Sequence, residues 1–192
     1  MYVRDAKNRD EVWLLDNIES MGLDDEAFRS RDYVIAVDET TNERAGFGRL
    51  RIHPGEPSVC ELTGIGVLER WRGQGVGAHV LERLVTKAHD ESFETIYVLT
   101  DEPDYLTQFG FEPIDRSALP DRLAERLDRK RDSIGETVRP LRLEGDFEMP
   151  DRLREAFKTA APREEPDPDD RDRAEDFGID PDSATYKYDT GR

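Results

Sequence analysis

The 192-residue sequence predicts an α/β domain, and three observations carry that reading. The β-like run Val59–Val67 leads through a short loop and a glycine-rich turn into an amphipathic helix. Two apolar runs, 33–37 and 45–52, flank a polar turn at 38–44 and read as an antiparallel hairpin. The chain also lacks the run of alternating strands and helices that a doubly wound parallel sheet needs.

In chain order, Tyr2 and Val3 open a short first strand. Asp10 fits the N-cap of a helix carrying Val12, Leu15 and Ile18 on one face, ended by Met21 and Gly22. Residues 24–28 start a shorter helix. In the second hairpin strand Arg49 and Arg51 alternate with Leu50 and Ile52, so both arginines share a face. His53, before Pro54 and Gly55, reads as a turn residue. Val59–Val67 is the central strand, where Gly64 and Gly66 point to a bulge or a close backbone approach. The helix from Gly75 to about Glu91 buries Val76, Val80, Leu81, Leu84, Val85 and Ala88. His79 and His89 are ten residues apart on it and share no face, so they read as solvated residues, not a metal pair.

Thr95–Thr100 is a buried-type strand. Pro103 suits the first turn of a short helix that Gly110 terminates, and 111–114 leads into the last core strand. Residues 117–131 form a helix whose stripe of Leu119, Leu123 and Leu127 suits packing on the core or on a partner subunit, as in a homodimer. Residues 138–143 read as an extra strand or extended arm, and 151–160 as a short helix. From 162 the chain is acidic and proline-rich, a composition expected to be disordered. The expected division is a domain at 1–116, a helical extension at 117–160 and an acidic tail at 161–192.

A formal net charge of −17 excludes a general nucleic-acid binder or a protein of anionic membrane surfaces. No apolar run reaches the length of a membrane span, and no apolar segment follows the N-terminus as in a signal peptide. Cys60, the single cysteine, cannot form an internal disulfide, which suits a reducing cytoplasm. It reads as a small buried strand residue, not a nucleophile. Of 28 basic residues only five are lysine, a composition similar to that of cytoplasmic proteins from salt-loving microbes.

A glycine-rich turn that opens a helix is a phosphate cradle. The first helical N–H groups have no internal partner, the dipole favours an anion, and glycines allow close approach. Arg72 adds a charge suited to phosphate. The segment from Gly73 to Ala78 also satisfies the dinucleotide pattern G-x-G-x-x-G/A, but five residues separate it from the end of the preceding strand.

The spacing Arg72-x-x-Gly75-x-Gly77, with Val67 five residues before the arginine, the strand Thr95–Thr100 and the element Tyr105-Leu-Thr-Gln-Phe-Gly-Phe111, resembles the GNAT N-acetyltransferase superfamily over roughly residues 1–115. The stretch 61–114 is most similar to N-acetylglutamate synthases and related small amino-acid acetyltransferases. The resemblance implies a mixed, mostly antiparallel sheet with helices on both faces and splayed central strands. It implies acetyl-CoA as co-substrate, with Arg72, Gly73, Gln74, Gly75, Val76, Gly77 and Ala78 on the pyrophosphate and Ile65, Gly66 and Val67 on the pantetheine and thioester. It implies direct transfer to a small-molecule amine in a ternary complex. Glu61 is then the candidate general base, with an ordinary ion pair as the other reading. Arg49 and Arg51 are either solvated arginines or the holders of an acceptor carboxylate. Leu106 stands where many relatives carry a tyrosine that protonates the leaving thiolate, which leaves the acid unassigned and keeps a catalytically silent CoA-binding module open. Protein acetylation is a further reading.

Overall fold

A computed structural model describes residues 1–163. In order they form β1 (Tyr2–Asp5), α1 (Glu11–Ser20), β2 (Tyr33–Val37), β3 (Arg44–His53), β4 (Val59–Val67), α2 (Val76–Asp90), β5 (Thr95–Thr100), α3 (Pro103–Thr107), β6 (Glu112–Pro113), α4 (Asp121–Ser133), β7 (Arg139–Glu144) and α5 (Asp151–Lys158). The strands make one sheet in the order β1-β2-β3-β4-β5-β7-β6. Only β4 and β5 run parallel. This is the mixed, mostly antiparallel sheet expected.

Helices cover both faces, which explains why β2 is apolar at every position. Val34 and Ala36 turn to α2, while Tyr33, Ile35 and Val37 turn to α1. The seven buried residues of α2 include all six named from its periodicity. Gly48 lets this helix sit close on the sheet, since a Cβ there would lie 2.7 Å from Val80 and 2.8 Å from Leu84.

Several local expectations change. The inner face of α1 is Leu14 and Ile18, while Val12 is 71% exposed. Asp10 makes no side-chain cap to α1. It is fully buried instead, bonded to Arg4 at 2.8 and 3.1 Å, to Arg44 at 3.0 Å and to the Lys7 N–H at 2.8 Å. Residues 24–28 are an irregular loop, not a helix: Asp24 accepts from the Glu26 N–H and Ala27 has φ 51°.

The boundary expected at 116 does not divide the described chain. β7 inserts between β5 and β6, pairing from Thr95↔Glu144 to Thr100↔Arg139 on one side and with Glu112 and Pro113 on the other. The sheet is therefore incomplete without residues from the expected extension, and Met1–Ala161 is one compact unit. The leucine stripe of α4 is covered by the chain's own Val59, Leu99 and Val138, which removes the reason to expect a partner subunit there. The acidic tail lies, from residue 164, outside the described residues.

Candidate active site

Adjacent parallel strands part at the centre of the sheet. β4 and β5 pair at Cys60↔Ile96, Glu61↔Tyr97 and Leu62↔Val98, and pairing stops there although both strands continue. The cause is a bulge. On β3 one residue separates Phe47 from Arg49, while Gly64 and Ile65 separate their partners Gly66 and Thr63 on β4. Gly64 takes φ 57°, open to glycine at little cost. The opened gap leads into a cavity of about 880 Å³, walled by Ile65, Gly66 and Val67, by the glycine-rich turn and by Thr100, Tyr105 and Leu106 across it.

Gly73 and Gly75 both lie in the left-handed region, at φ 72° and 77°. The turn they make leaves the amides from Gly73 to Ala78 with no acceptor among the described residues. Eight of the ten residues expected to hold the cofactor line this cavity: Ile65, Gly66, Val67, Arg72, Gly73, Gly75, Val76 and Gly77. Two do not. Ala78 is buried in the core, and the Gln74 amide group is paired with Ala161 at 2.9 and 3.0 Å. Arg72 donates from Nε to the Val67 carbonyl at 3.1 Å, which ties the turn to the end of β4.

The short helix expected at 151–160, α5, packs against this turn, a contact the sequence reading did not anticipate. A Cβ on Gly75 would sit 2.3 Å from the Leu153 carbonyl oxygen. Phe157 stacks on His79 with ring centroids 3.7 Å apart. His79 is therefore not the solvated residue expected. Burial lowers its pKa, and its Nδ1 lies 3.0 Å from the Gly75 carbonyl oxygen, so that nitrogen carries the proton. The signal was weak: Leu153 and Phe157 at i,i+4 in a short polar segment.

A second cavity, of about 420 Å³, lies beside Thr63 and Gly64, with Leu23 common to both. Arg126, Arg129 and Lys130 of α4 face Asp24 and Glu26 of the loop after α1 around it. Arg49 and Arg51 of β3 are on the same face as expected, but neither is free. Arg49, 2% exposed, donates to the carbonyl oxygens of Glu26 at 2.8 Å and Ala27 at 2.6 Å and lies 3.4 Å from Asp32. Arg51 lies 3.6 Å from Asp24 and 3.5 Å from Glu26. Both hold the loop that borders the cavity, and neither lines it.

Glu61 is wholly enclosed and lines neither cavity. Arg126 donates Nε–H to its oxygens at 2.9 and 2.7 Å, His53 Nε2 is 2.8 Å away and Lys130 Nζ 3.8 Å. Burial alone would raise this carboxyl. The His53 hydrogen bond and the charges of Arg126 and Lys130 outweigh it and hold the pKa below the usual range. The ion-pair reading of Glu61 therefore describes its surroundings, and its carboxylate lines neither cavity. His53, expected as a turn residue, ends β3 as one of its partners. The missed residue is Arg126, since α4 lay beyond the motifs.

Leu106 is buried against the large cavity, and no phenol replaces it at that position. Tyr105 is a neighbour, not a substitute: its hydroxyl lies toward Gly77, 3.5 Å from where a Cβ would be, at the head of α2. Burial pushes the Cys60 thiol up to about 12, so it holds no thiolate at neutral pH. No helix among the described residues is long and apolar enough to cross a membrane.

The acetyltransferase (GNAT) family model matches residues 3–111. Among solved structures, Rv2747 from Mycobacterium tuberculosis, in complex with CoA, superposes with TM-score 0.63 at 17% identity, over 76% of this chain and 99% of that one. N-acetylglutamate synthase from Neisseria gonorrhoeae, complexed with coenzyme A and N-acetyl-glutamate, gives 0.58 at 16% identity, over 73% of this chain but only 34% of the synthase. A GNAT-family acetyltransferase from Staphylococcus aureus gives 0.52 at 13% identity, over 73% and 96%. At these identities the structural likeness speaks for the fold.

Proposed function

The chain belongs to the acetyltransferase (GNAT) family, and from that we propose that it transfers acetyl from acetyl-CoA to a primary amine in a ternary complex. One observation carries the reading: a row of amides, Gly73 to Ala78, without acceptors among the described residues, at the mouth of a cavity that runs into the gap between β4 and β5. Amides presented at a helix N-terminus suit a diphosphate. The parted strand edge suits an extended pantetheine arm, with a main-chain N–H at 65–67 donating to the thioester carbonyl.

The neutral amine attacks the thioester carbon. The C–S bond breaks, CoA leaves as thiolate and takes a proton, and the amine's proton passes to solvent. Glu61 enters through other groups: its fixed negative charge orders Arg126 and Lys130, so it is a positioning residue in this reading. The cavity beside Thr63 and Gly64 takes the acceptor. Both signs of charge border it, which suits a zwitterion, and the likeness to the gonococcal synthase agrees with a small amino acid. Arg49 and Arg51 contribute by holding the loop that carries Asp24 and Glu26. A cytoplasmic location belongs to the same proposal.

The test is turnover of acetyl-CoA over a panel of amino acids, including glutamate, together with peptides carrying free N-termini. Acetylation of at least one amino acid is expected, and peptide-only turnover would favour the protein-acetylating reading. The enclosed Glu61 and the leucine at 106 favour one rival, a catalytically silent CoA-binding module. Tight CoA binding with no turnover across the panel would select it.

A further inference from the structure

The segment that follows the sheet builds part of the cofactor wall. α5 lies outside residues 3–111, yet its first turn borders the large cavity through Arg152 and Leu153. Three contacts fix it there. The Leu153 carbonyl meets Gly75 where only a glycine fits, Phe157 is buried against His79, and Gln74 and Ala161 exchange two hydrogen bonds. A helix held by these contacts, two from its own residues and one from Ala161 just beyond it, presents its side chains to the cavity in a defined position.

Arg152 is the cationic side chain so presented. It donates to the Gln108 side-chain oxygen, and its charge acts on the Tyr105 phenol, the hydroxyl of which points at the head of α2. Among the described residues, the only other cationic side chain on this wall is Arg72, with Nε occupied by the Val67 carbonyl. The same lining carries Asp101 and Glu102, which would repel an anion unless a positive charge offsets them. Trp71, fully buried in the same lining, keeps an indole N–H with no acceptor among the described residues.

We propose that Arg152 is a phosphate-binding residue of the cofactor site, contributed by the C-terminal helix and absent from the part of the chain that the family model spans. It rests on the CoA reading above. The guanidinium swings from Gln108 to a phosphate oxygen, of the diphosphate or of the 3′-phosphate, and closes the cavity from the side that the amides of the turn leave open.

The experiment is calorimetric titration of CoA and 3′-dephospho-CoA into the full chain and its Arg152→Ala, Arg152→Lys and Arg154→Ala variants, with thermal melting of each. Arg154 is on the same helix but outside the cavity lining and controls for general loss of charge. Arg152→Ala is expected to weaken CoA about tenfold or more, the range of a lost hydrogen bond to a charged group. Arg152→Lys should recover part of this, and Arg154→Ala should remain within about twofold of the parent. An equal loss for both ligands assigns the diphosphate, and a loss for CoA alone assigns the 3′-phosphate. Parent-like affinity of Arg152→Ala for both ligands overturns the inference while leaving the CoA reading intact. Failure of the unaltered chain to bind either ligand overturns both.

Discussion

Arg126 on α4 donates its Nε–H to both oxygens of Glu61 on β4, at 2.9 and 2.7 Å, and its Nη1 to Asp24 at 2.7 Å. A guanidinium shared by the strand, the helix and the loop that border one cavity makes the three a unit. Removing one partner strands a buried charge. Glu61→Ala is therefore expected to destabilise the fold by about 3–5 kcal/mol, read by urea denaturation, because the buried end of Arg126 loses its carboxylate and is left beside Lys130 with only the half-exposed Asp24 and Glu26 as counter-charges. An apolar pair, Glu61→Leu with Arg126→Met, should recover most of that. If Glu61→Gln removes the acidic limb of the kcat/KM profile while the fold holds, the positioning role is wrong and the carboxylate is the base.

The same pair sets the acid limb of stability. The folded-state pKa of Glu61 is below its unfolded value, and Asp10, hydrogen-bonded by Arg4, is lowered in the same sense. Between the folded and unfolded values the unfolded chain binds more protons. The stabilisation is thus fully present above about pH 4.3, the unfolded value of a glutamate, and is lost as pH falls through the folded values. Melting temperature should be flat with respect to these groups from neutral pH to about pH 5 and fall below about pH 4. Glu61→Gln should start lower and fall less steeply. An unchanged slope would sever Glu61 from the acid transition.

How far the sequence reached follows from the range of its signals. β2, α2 and β5 were legible because periodicity and apolar runs report burial against immediate neighbours. The glycines at 73 and 75 announced a left-handed turn for the same local reason. What was not legible acts across long separations. Nothing near Glu61 in sequence indicates Arg126, 65 residues away, and nothing near Gln74 indicates Ala161, 87 residues away. The domain boundary was misplaced because β7 enters the sheet out of sequence order, between β5 and β6, and a six-residue strand carries no mark of where it pairs. Arg49 and Arg51 were assigned the correct face, but a shared face does not say whether a guanidinium meets a ligand or its own loop.

That distinction can be measured at Arg49. Its guanidinium satisfies two carbonyls of the 26–27 loop from a nearly solvent-free position over the Tyr33 ring. Arg49→Ala leaves those carbonyls without donors and a void beside Tyr33. It should cost about 2–4 kcal/mol in denaturant stability. The acceptor's KM should change no more than that of acetyl-CoA, since the loop borders the site as a whole. A stable Arg49→Ala chain with a selective rise in acceptor KM would return Arg49 to the role of carboxylate holder.

Gly75 and Gly77, two residues apart in one turn, should fail in opposite ways. At Gly75 a side chain meets two obstacles. The backbone is at φ 77°, which costs an ordinary residue about 1–2 kcal/mol, and the new Cβ would lie 2.3 Å from the backbone oxygen of Leu153. That oxygen cannot yield by a rotamer change; α5 must lift, which exposes Phe157 and breaks the Gln74–Ala161 pair. Exposing one phenylalanine adds about 1.5–3 kcal/mol, so Gly75→Ala should lose several kcal/mol in all and melt well below the parent. At Gly77 the backbone is helical, and the nearest atoms to a new Cβ, on Tyr105 and Val67, are 3.5 Å away. Alanine there is a better helix former by up to about 1 kcal/mol, so melting should be unchanged or higher. The added methyl instead faces the cavity that the unpaired amides line, and CoA affinity should fall. Melting and CoA titration on the two variants separate the glycine that the fold requires from the glycine that the ligand requires; equal CoA affinity for Gly77→Ala and the parent would remove the phosphate cradle from this turn.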